Sequence, residues 1–307
     1  MPTIEDKTSP MVLIKLLLTA VFWGGTFIAG RVVAGHIGPY SAAFLRFLVA
    51  GVILTALALR NGSHGMHIRR DQLLPLVLLG MTGVFAYNVL FFKGLKLLYA
   101  GRASLIIATN PVFISLLSYV IFKEPLNRRG LLGIFISVAG ATVVITRGNV
   151  ASIIEGGVGM GEAYIFGCVV SWVAYSLIGK AALKGLTPLV AVAYSAVFGA
   201  GFLMAPALGE GLLEQLSGFG AWVWIAIGYL GVFGTVLGFV WYYEGIRAIG
   251  PGRASLFINF VPISAVILAY LILAEPITPS LVAGTVMVTS GVTLNHLAAA
   301  QRRVRLD

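Results

Sequence analysis

The stretch Gly101-Arg102-Ala103-Ser104-Leu105 returns 151 residues later as Gly252-Arg253-Ala254-Ser255-Leu256. Each copy is followed at the same intervals by a proline, a tyrosine and a Glu-Pro pair: Pro111, Tyr119 and Glu124-Pro125 first, then Pro262, Tyr270 and Glu275-Pro276. Apolar composition alone would not bring Arg, Pro, Tyr and Glu-Pro into one register. The pattern therefore predicts an internal duplication.

The composition indicates that this duplicated chain lies in a membrane. Of its 307 residues, 59% are hydrophobic and 10% are charged, whereas soluble proteins carry about 25% charged residues. Long apolar runs recur from end to end without a polar stripe, which predicts an all-α polytopic membrane protein in contact with the lipid bilayer. The ten predicted transmembrane helices are 12–30, 40–59, 72–92, 103–122, 130–146, 161–179, 188–208, 220–243, 254–273 and 280–297.

A glycine-rich segment divides the chain into a first repeat at 1–147, a linker at 148–160 and a second repeat at 161–307. Because each repeat has five spans, the second must enter the membrane from the opposite side. The loops agree, since Arg60, Arg69 and Arg70 precede the third span while Glu210 and Glu214 precede its counterpart. The positive-inside rule then places both termini in the cytoplasm. The net charge of +10 is explained by this topology and not by nucleic-acid binding.

Inverted repeats of five helices are typical of transporters, because two oppositely oriented halves can exchange shapes and alternate access to a central site. An integral-membrane enzyme or a lipid-handling protein are the alternative classes. The enzyme alternative lacks support, since Cys168 is the single cysteine, four histidines are scattered, and no nucleophile motif is present. We expect no cofactor and no metal.

The sequence resembles the drug/metabolite transporter superfamily, and within it the ten-helix EamA-type exporters. The resemblance is carried by Phe22-Trp23-Gly24-Gly25, by Phe44-Leu45-Arg46-Phe47, and by the paired Arg-Ala-Ser, Pro and Glu-Pro motifs. It is greatest to the amino-acid exporters of YddG type. The resemblance implies export of a small-molecule substrate across a bacterial inner membrane, most often amino acids, aromatic or of broad range. Another metabolite, a drug or a nucleotide sugar is the alternative substrate.

Aromatic and amide side chains are the candidates for a substrate cavity between the repeats. Trp23 and Trp172 occupy matched positions at mid-depth, where interfacial anchoring explains them poorly, and aromatic walls suit apolar or cationic groups. An amide in the membrane is costly unless it is paired or faces water, although it can also join helices. The predicted substrate-binding residues are Trp23, Arg46, Tyr87, Asn88, Tyr99, Asn110, Trp172, Tyr175, Trp241 and Asn259.

Arg46 is the ionisable residue placed most clearly inside a span, and its repeat counterpart is Ser195. It is a counter-charge for a substrate carboxylate, a partner for a buried dipole, or a side chain that snorkels to the membrane surface. Pro111 and Pro262 predict kinks in the fourth and ninth spans, either as static bends or as hinges.

Further predictions concern the carboxylates, the outer basic residues and the glycines of two spans. Glu124 and Glu275 are expected to cap the helix that follows each of them. No carboxylate lies at mid-depth, which favours facilitated export over a carboxylate proton relay. Lys93, Lys96 and Arg102 fall outside and either snorkel or attract anionic substrates. The glycines of the fifth and tenth spans predict close packing, and these two helices are the predicted surface of a homodimer.

Overall fold

The computed structural model describes residues 10–60, 68–122, 128–146, 148–149, 159–183 and 185–303. These residues form helices, and no strand occurs among them. The predicted linker at 148–160 lies mostly outside the described ranges. The α-helices are α1 Pro10–Ala34, α2 Pro39–Arg60, α3 Arg70–Leu79, α4 Tyr87–Leu97, α5 Ala100–Ile107, α6 Asn110–Phe122, α7 Arg128–Ile145, α8 Met160–Ala182, α9 Pro188–Gly209, α10 Leu212–Gln215, α11 Ala221–Gly231, α12 Gly238–Ala254, α13 Phe260–Leu273 and α14 Pro279–Arg303.

In the described part of the chain, seven helical segments are long and apolar enough to cross a membrane, judged by length and composition. Two shorter apolar helices coincide with the fifth and ninth predicted spans, and α14 coincides with the tenth. The helical membrane fold predicted from the sequence is thus confirmed. The seven segments are Pro10–Ala34, Pro39–Arg60, Arg70–Leu97, Ala100–Ile121, Met160–Ala182, Pro188–Gly209 and Ala221–Pro251.

The third helix of each repeat contains a π-helix at the matched position, Gly80–Ala86 in the first repeat and Val232–Leu237 in the second. Sequence pattern did not reveal these segments, because apolar periodicity cannot distinguish a π-helix from an α-helix. Helices of this kind are rare and are often found at functional sites. Their pairing shows that the duplication extends to an irregularity of the backbone.

The fourth helix of each repeat is interrupted just before its proline. In the first repeat α5 ends at Ile107 and α6 begins at Asn110, so Pro111 lies in a new first turn. In the second, a 3₁₀ segment at Ser255–Asn259 leads into α13, where Pro262 again lies in the first turn. Proline is tolerated there because the N–H it lacks would have no helical partner. The predicted bends are therefore present as breaks, and their movement stays a prediction.

The two repeats pack across each other, which places their inner helices around one centre. Helix α1 packs against α11 to α13, α8 packs against α3 to α6, and α2 packs against α9. The fifth and tenth membrane helices, α7 and α14, pack along each other at the side.

The glycines of α7 and α14 serve this packing within one chain. A Cβ added to Gly140 would lie 2.9 Å from the Val288 nitrogen, and one on Gly284 would lie 3.0 Å from the Gly140 oxygen. The homodimer through these helices stays a prediction. It would have to use the faces of α7 and α14 that point away from their mutual contact.

On the predicted outer face, carboxylates of the second repeat bind helix starts of the first. Glu275 does not cap the helix that follows it, so that prediction is wrong. Its Oε1 accepts from the Ala100 N–H at 2.9 Å and its Oε2 from the Gly101 N–H at 3.2 Å. The N–H groups at the start of α5 have no acceptor within their own helix, so they bind the Glu275 carboxylate of the other repeat. Thr278 caps α14 instead, and Glu124 lies outside the described residues.

Of the three predicted outer basic residues, Arg102 differs from expectation. Arg102 does not snorkel, because it is buried in an ion pair with Glu162 at 2.6 Å. Lys93 is half-buried, and its ammonium lies over the rings of Tyr40 and Tyr164 at 5.3 and 5.7 Å. Lys96 is exposed.

Candidate functional site

A narrow cavity of about 30 Å³ lies between the repeats, at the level of the helix breaks and the π-helices. Helices α1, α2, α4, α5 and α6 contribute its wall from the first repeat, while α8, α12, the 3₁₀ segment and α13 contribute from the second. Most of the wall is aromatic or aliphatic, as is usual for small-molecule sites. The lining residues are Trp23, Thr26, Phe27, Arg46, Tyr87, Phe91, Ile107, Asn110, Trp172, Phe239, Ile258 and Val261.

The aromatic rings of Trp23, Tyr87 and Trp172 lie in this wall, and the buried Tyr242 packs behind them. The Trp23 ring lies edge-on to Trp172 at 5.2 Å between centroids and to Tyr242 at the same distance. Tyr87 contacts Trp172 at 5.3 Å. The Trp23 Nε1 donates to the carbonyl of Gly234 at 3.0 Å. Because this carbonyl belongs to the π-helix of the other repeat, the bond fixes the indole and joins the two halves.

Arg46 lines the cavity and binds side chains of both repeats. Its Nη1 donates to Asn88 Oδ1 and its Nε donates to Thr235 Oγ1, each at 2.9 Å. Arg46 is 3% exposed, so the snorkelling interpretation is wrong. We call Arg46, Asn88 and Thr235 the Arg46 cluster.

The Arg46 cluster also stabilises the irregular backbone of the π-helices. The Asn88 Nδ2 donates to the carbonyls of Gly83 and Val84 at 3.0 and 2.9 Å. The Thr235 Oγ1 donates to the Leu230 carbonyl at 2.9 Å. A π-helix leaves carbonyls without their usual helical donors, and buried carbonyls need partners. The side chains that orient Arg46 are therefore themselves fixed by the backbone.

The positive charge of Arg46 has no carboxylate partner among the described residues. Buried arginines are usually paired, because an uncompensated charge in a poorly solvated site is unfavourable. The rings of Phe47 and Phe239 lie 5.3 and 5.9 Å from the guanidinium carbon, and they supply only weak cation–π stabilisation. An anionic group that entered the cavity would therefore gain a strong electrostatic interaction.

Asn110 supplies a second polar group with capacity for a ligand. The residue is 1% exposed, and its Oδ1 has no hydrogen-bond partner. Buried acceptors are normally satisfied, so an orphan in a cavity wall marks a place for a donor. Ile107 lines the cavity as well, so the wall includes residues on both sides of the break between α5 and α6.

Several predicted binding residues lie behind the cavity or away from it. Asn88 is buried behind Arg46, and Tyr175 packs under Trp172 at 5.1 Å between centroids. The side chain of Asn259 lies outside the described residues. Neither Asn88 nor Tyr175 lines the wall, although both contact a residue that does.

Two predicted residues are not brought to the cavity. Tyr99 precedes the first turn of α5 with an extended backbone, is 52% exposed, and lines a separate cavity at the predicted outer face. Trp241 contacts Phe22 and Lys15 on another side of α12. The physical reason is helical phase, since Tyr242, one residue later, points about 100° away and contacts Trp23.

Sequence reasoning missed Thr235, Phe239 and Tyr242. The spacing of Gly234, Gly238 and Tyr242 at four-residue steps marks one face of the helix, and a Cβ on Gly238 would meet the Trp23 Nε1. The glycines on that face were the sequence signal that could have predicted Tyr242, and not Trp241, as the residue that faces Trp23. Nothing in the pattern identified Thr235 as a partner of Arg46.

Comparison with known proteins agrees with this architecture. Residues 10–146 and 159–297 each match the EamA-like transporter family. "Uncharacterized transporter YyaM" of Bacillus subtilis (strain 168) is 34% identical over 282 residues, covering 92% of each chain. A "Probable terminal-alkyne amino-acid exporter" of Streptantibioticus cattleyicolor is 31% identical over 295 residues, covering 94% of each chain.

A solved structure described as "Crystal structure of protein" has the same fold. Its TM-score is 0.67 with 21% sequence identity, and the match covers 95% of this chain and 98% of that one. The two matched segments, the helical membrane architecture and the relatives agree, and the chain belongs to the EamA-like transporter family.

Proposed function

We propose that this membrane transporter exports amino acids from the cytoplasm across a bacterial inner membrane, through the cavity between its repeats. The observation that carries the proposal is the uncompensated charge of Arg46 in the same cavity wall as the unpaired Asn110 oxygen. An amino acid has a carboxylate for the first group and an ammonium for the second. Its side chain would contact the rings of Trp23, Tyr87 and Trp172, which favours aromatic and large apolar amino acids.

One of the relatives supports the same substrate class. The name of the Streptantibioticus relative concerns an amino-acid exporter, and that protein is similar to this chain over almost its whole length. The family and the relatives are transporters, in keeping with the expectation that this chain is not an enzyme. The bacterial relatives support a bacterial membrane as its location.

The mechanism we propose is alternating access by facilitated export. The matched breaks before Pro111 and Pro262 lie beside the cavity and belong to oppositely oriented repeats. Bending at one break would open the cavity to one side while the other stays closed. Facilitated export, in which the substrate moves down its own gradient, is the mechanism we propose, and the partners of Arg46 among the described residues, Asn88 and Thr235, are both neutral.

Release from proteoliposomes tests this function. Vesicles containing the purified protein would be preloaded with labelled phenylalanine, an aromatic amine or a nucleotide sugar, and compared with empty vesicles. We expect release of phenylalanine above the empty-vesicle rate. No release of phenylalanine or other amino acids, together with release of the amine or nucleotide sugar, would overturn the amino-acid proposal.

A further inference from the structure

Asn88 occupies the place where a buried arginine usually has a carboxylate. Its Oδ1 accepts from Arg46 Nη1 at 2.9 Å, and the residue is fully buried. The orientation of the amide is determined by its other bonds, because Nδ2 is needed as the donor to the Gly83 and Val84 carbonyls. Asn88 therefore presents an oxygen to Arg46 without a negative charge.

Thr235 holds the guanidinium from the other repeat in the same way. Its hydroxyl accepts from Nε and is also neutral. Among the described residues, hydrogen-bond partners are present for Nε and Nη1. Nη2 lies beside Gly234, and a Cβ added there would be 3.4 Å from it. Arg46 lines the cavity, so Nη2 is the guanidinium nitrogen that remains available for a ligand.

From this geometry we infer that Asn88 determines the charge class of the substrate. The neutral amide orients Arg46 without neutralising it, so the substrate has to supply the carboxylate. An aspartate at position 88 has nearly the same shape as asparagine. Its carboxylate would form an ion pair with Arg46 and so replace the carboxylate of the substrate. The inference rests on the proposed function, since it specifies the ligand of the same cavity. Asn88 thereby changes from a predicted substrate contact to a positioning residue.

The test compares Asn88→Asp with Asn88→Leu, two variants of similar size. Proteoliposomes would be loaded with labelled phenylalanine or with phenyltrimethylammonium, an aromatic ion with a permanent positive charge and no carboxylate. In Asn88→Asp, we expect the ratio of phenylalanine release to cation release to fall at least about tenfold, the loss of one charge-assisted interaction. In Asn88→Leu, both rates should fall while their ratio stays near the wild-type value, because the charge of Arg46 remains.

A purely structural role for Asn88 would lower both rates equally in both variants, and that result would overturn the inference. A different result would contradict the proposed function: vesicles with the wild-type protein would release no amino acid. That result would overturn the inference as well, because the inference rests on the proposed function.

A measurement on the wild-type protein covers the case in which Asn88→Asp does not fold. Phenylalanine methyl ester, which lacks the carboxylate charge, and N-acetylphenylalanine, which keeps it, would compete with labelled phenylalanine. The ester should compete at least about tenfold more weakly than N-acetylphenylalanine. Equal competition, or stronger competition by the ester, would show that the Arg46 charge is not used and would overturn the inference.

Discussion

The Arg46 cluster has a counterpart of opposite chemistry in the inverted repeat. The repeat offsets match Arg46, Asn88 and Thr235 with Ser195, Phe239 and Val84, which we call the Ser195 cluster. Ser195 is fully buried, and its hydroxyl donates to the Val192 carbonyl of its own helix at 2.9 Å. The Arg46 cluster joins the two repeats through hydrogen bonds from a charged side chain. The Ser195 cluster has only small or apolar side chains at the matching positions.

The same asymmetry extends to the cavity wall. Asn110 and Val261 are repeat counterparts, and both line the cavity. The backbone is thus duplicated in its irregular details, including the π-helices and the breaks, while the polar side chains of the wall, Thr26, Arg46 and Asn110, all come from the first repeat. The duplicated backbone suits the exchange of shapes between repeats. The unequal side chains give the cavity polar groups from one repeat and an aromatic and aliphatic wall from the other, which a zwitterion with a large side chain would match.

Arg46→Ala compared with Ser195→Ala should show the largest difference. Without the guanidinium, Asn88 Oδ1 loses its donor and the substrate loses its counter-charge, so we expect release of phenylalanine to fall at least about 100-fold. Ser195→Ala removes a hydroxyl bonded within its own helix and should lower release by less than about threefold. Initial release rates, normalised to correctly folded protein, measure both. Similar losses in the two variants would contradict the unequal roles.

Gly83→Ala and Gly234→Ala should separate stability from transport. A Cβ on Gly83 would overlap the fully buried Tyr175 ring, whereas a Cβ on Gly234 would lie 2.6 Å from the Thr26 Cγ2 and 3.4 Å from Arg46 Nη2. We expect Gly83→Ala to destabilise the fold by about 1–3 kcal/mol. Gly234→Ala should destabilise it less but slow release more, since it narrows the space beside Arg46.

Thermal unfolding in detergent, together with release rates per folded protein, distinguishes the two glycine variants. The comparison fails if Gly234→Ala unfolds earlier than Gly83→Ala while releasing phenylalanine at the wild-type rate.

Asn110→Leu should reduce transport without reducing stability. The Asn110 Oδ1 has no partner within the protein, so replacing the amide by an apolar group of similar shape removes an unsatisfied acceptor. We expect the unfolding temperature to stay or rise, and release of phenylalanine to fall about tenfold as the ammonium loses its acceptor. The matched control is Val261→Leu at the counterpart position. A stability loss in Asn110→Leu with unchanged release would identify Asn110 as a structural residue.

The smallest effects are expected for Tyr99→Phe and Trp241→Phe, which change neither cluster. Tyr99 is exposed at the start of α5, and Trp241 contacts Phe22 outside the cavity. Release should change by less than about twofold in each. A larger loss in Trp241→Phe would mean that the cavity shifts along α12 during transport.

The sequence predicted the fold better than the site, and the reason is physical. Apolar length, loop charge and a shared register act over many residues, so the helical membrane fold and its two repeats could be recognised. The predicted wall residues Trp23, Arg46, Tyr87, Asn110 and Trp172 do lie together around the cavity. Their role in binding substrate stays a prediction.

Individual contacts could not be predicted, because they depend on helical phase and on backbone irregularity. Tyr242 contacts Trp23 while Trp241 contacts Phe22, because successive residues of a helix point about 100° apart. Glu275 caps α5 and not the following helix because the opposite repeat lies beside it, which no local pattern encodes. Thr235 reaches Arg46 for the same reason.

Substrate protection of a single cysteine tests the central claim, that the substrate binds between the repeats. Cys168 is the one cysteine of the chain, so Cys168→Ser gives a background for Thr26→Cys, a near-isosteric change in the cavity wall, and for Thr278→Cys in the outer cavity. Phenylalanine should slow maleimide labelling of the Thr26→Cys variant, leave the Thr278→Cys variant unchanged, and lose its effect when Arg46→Ala is added. Labelling of the Thr26→Cys variant that is indifferent to phenylalanine at saturating concentration would contradict the account.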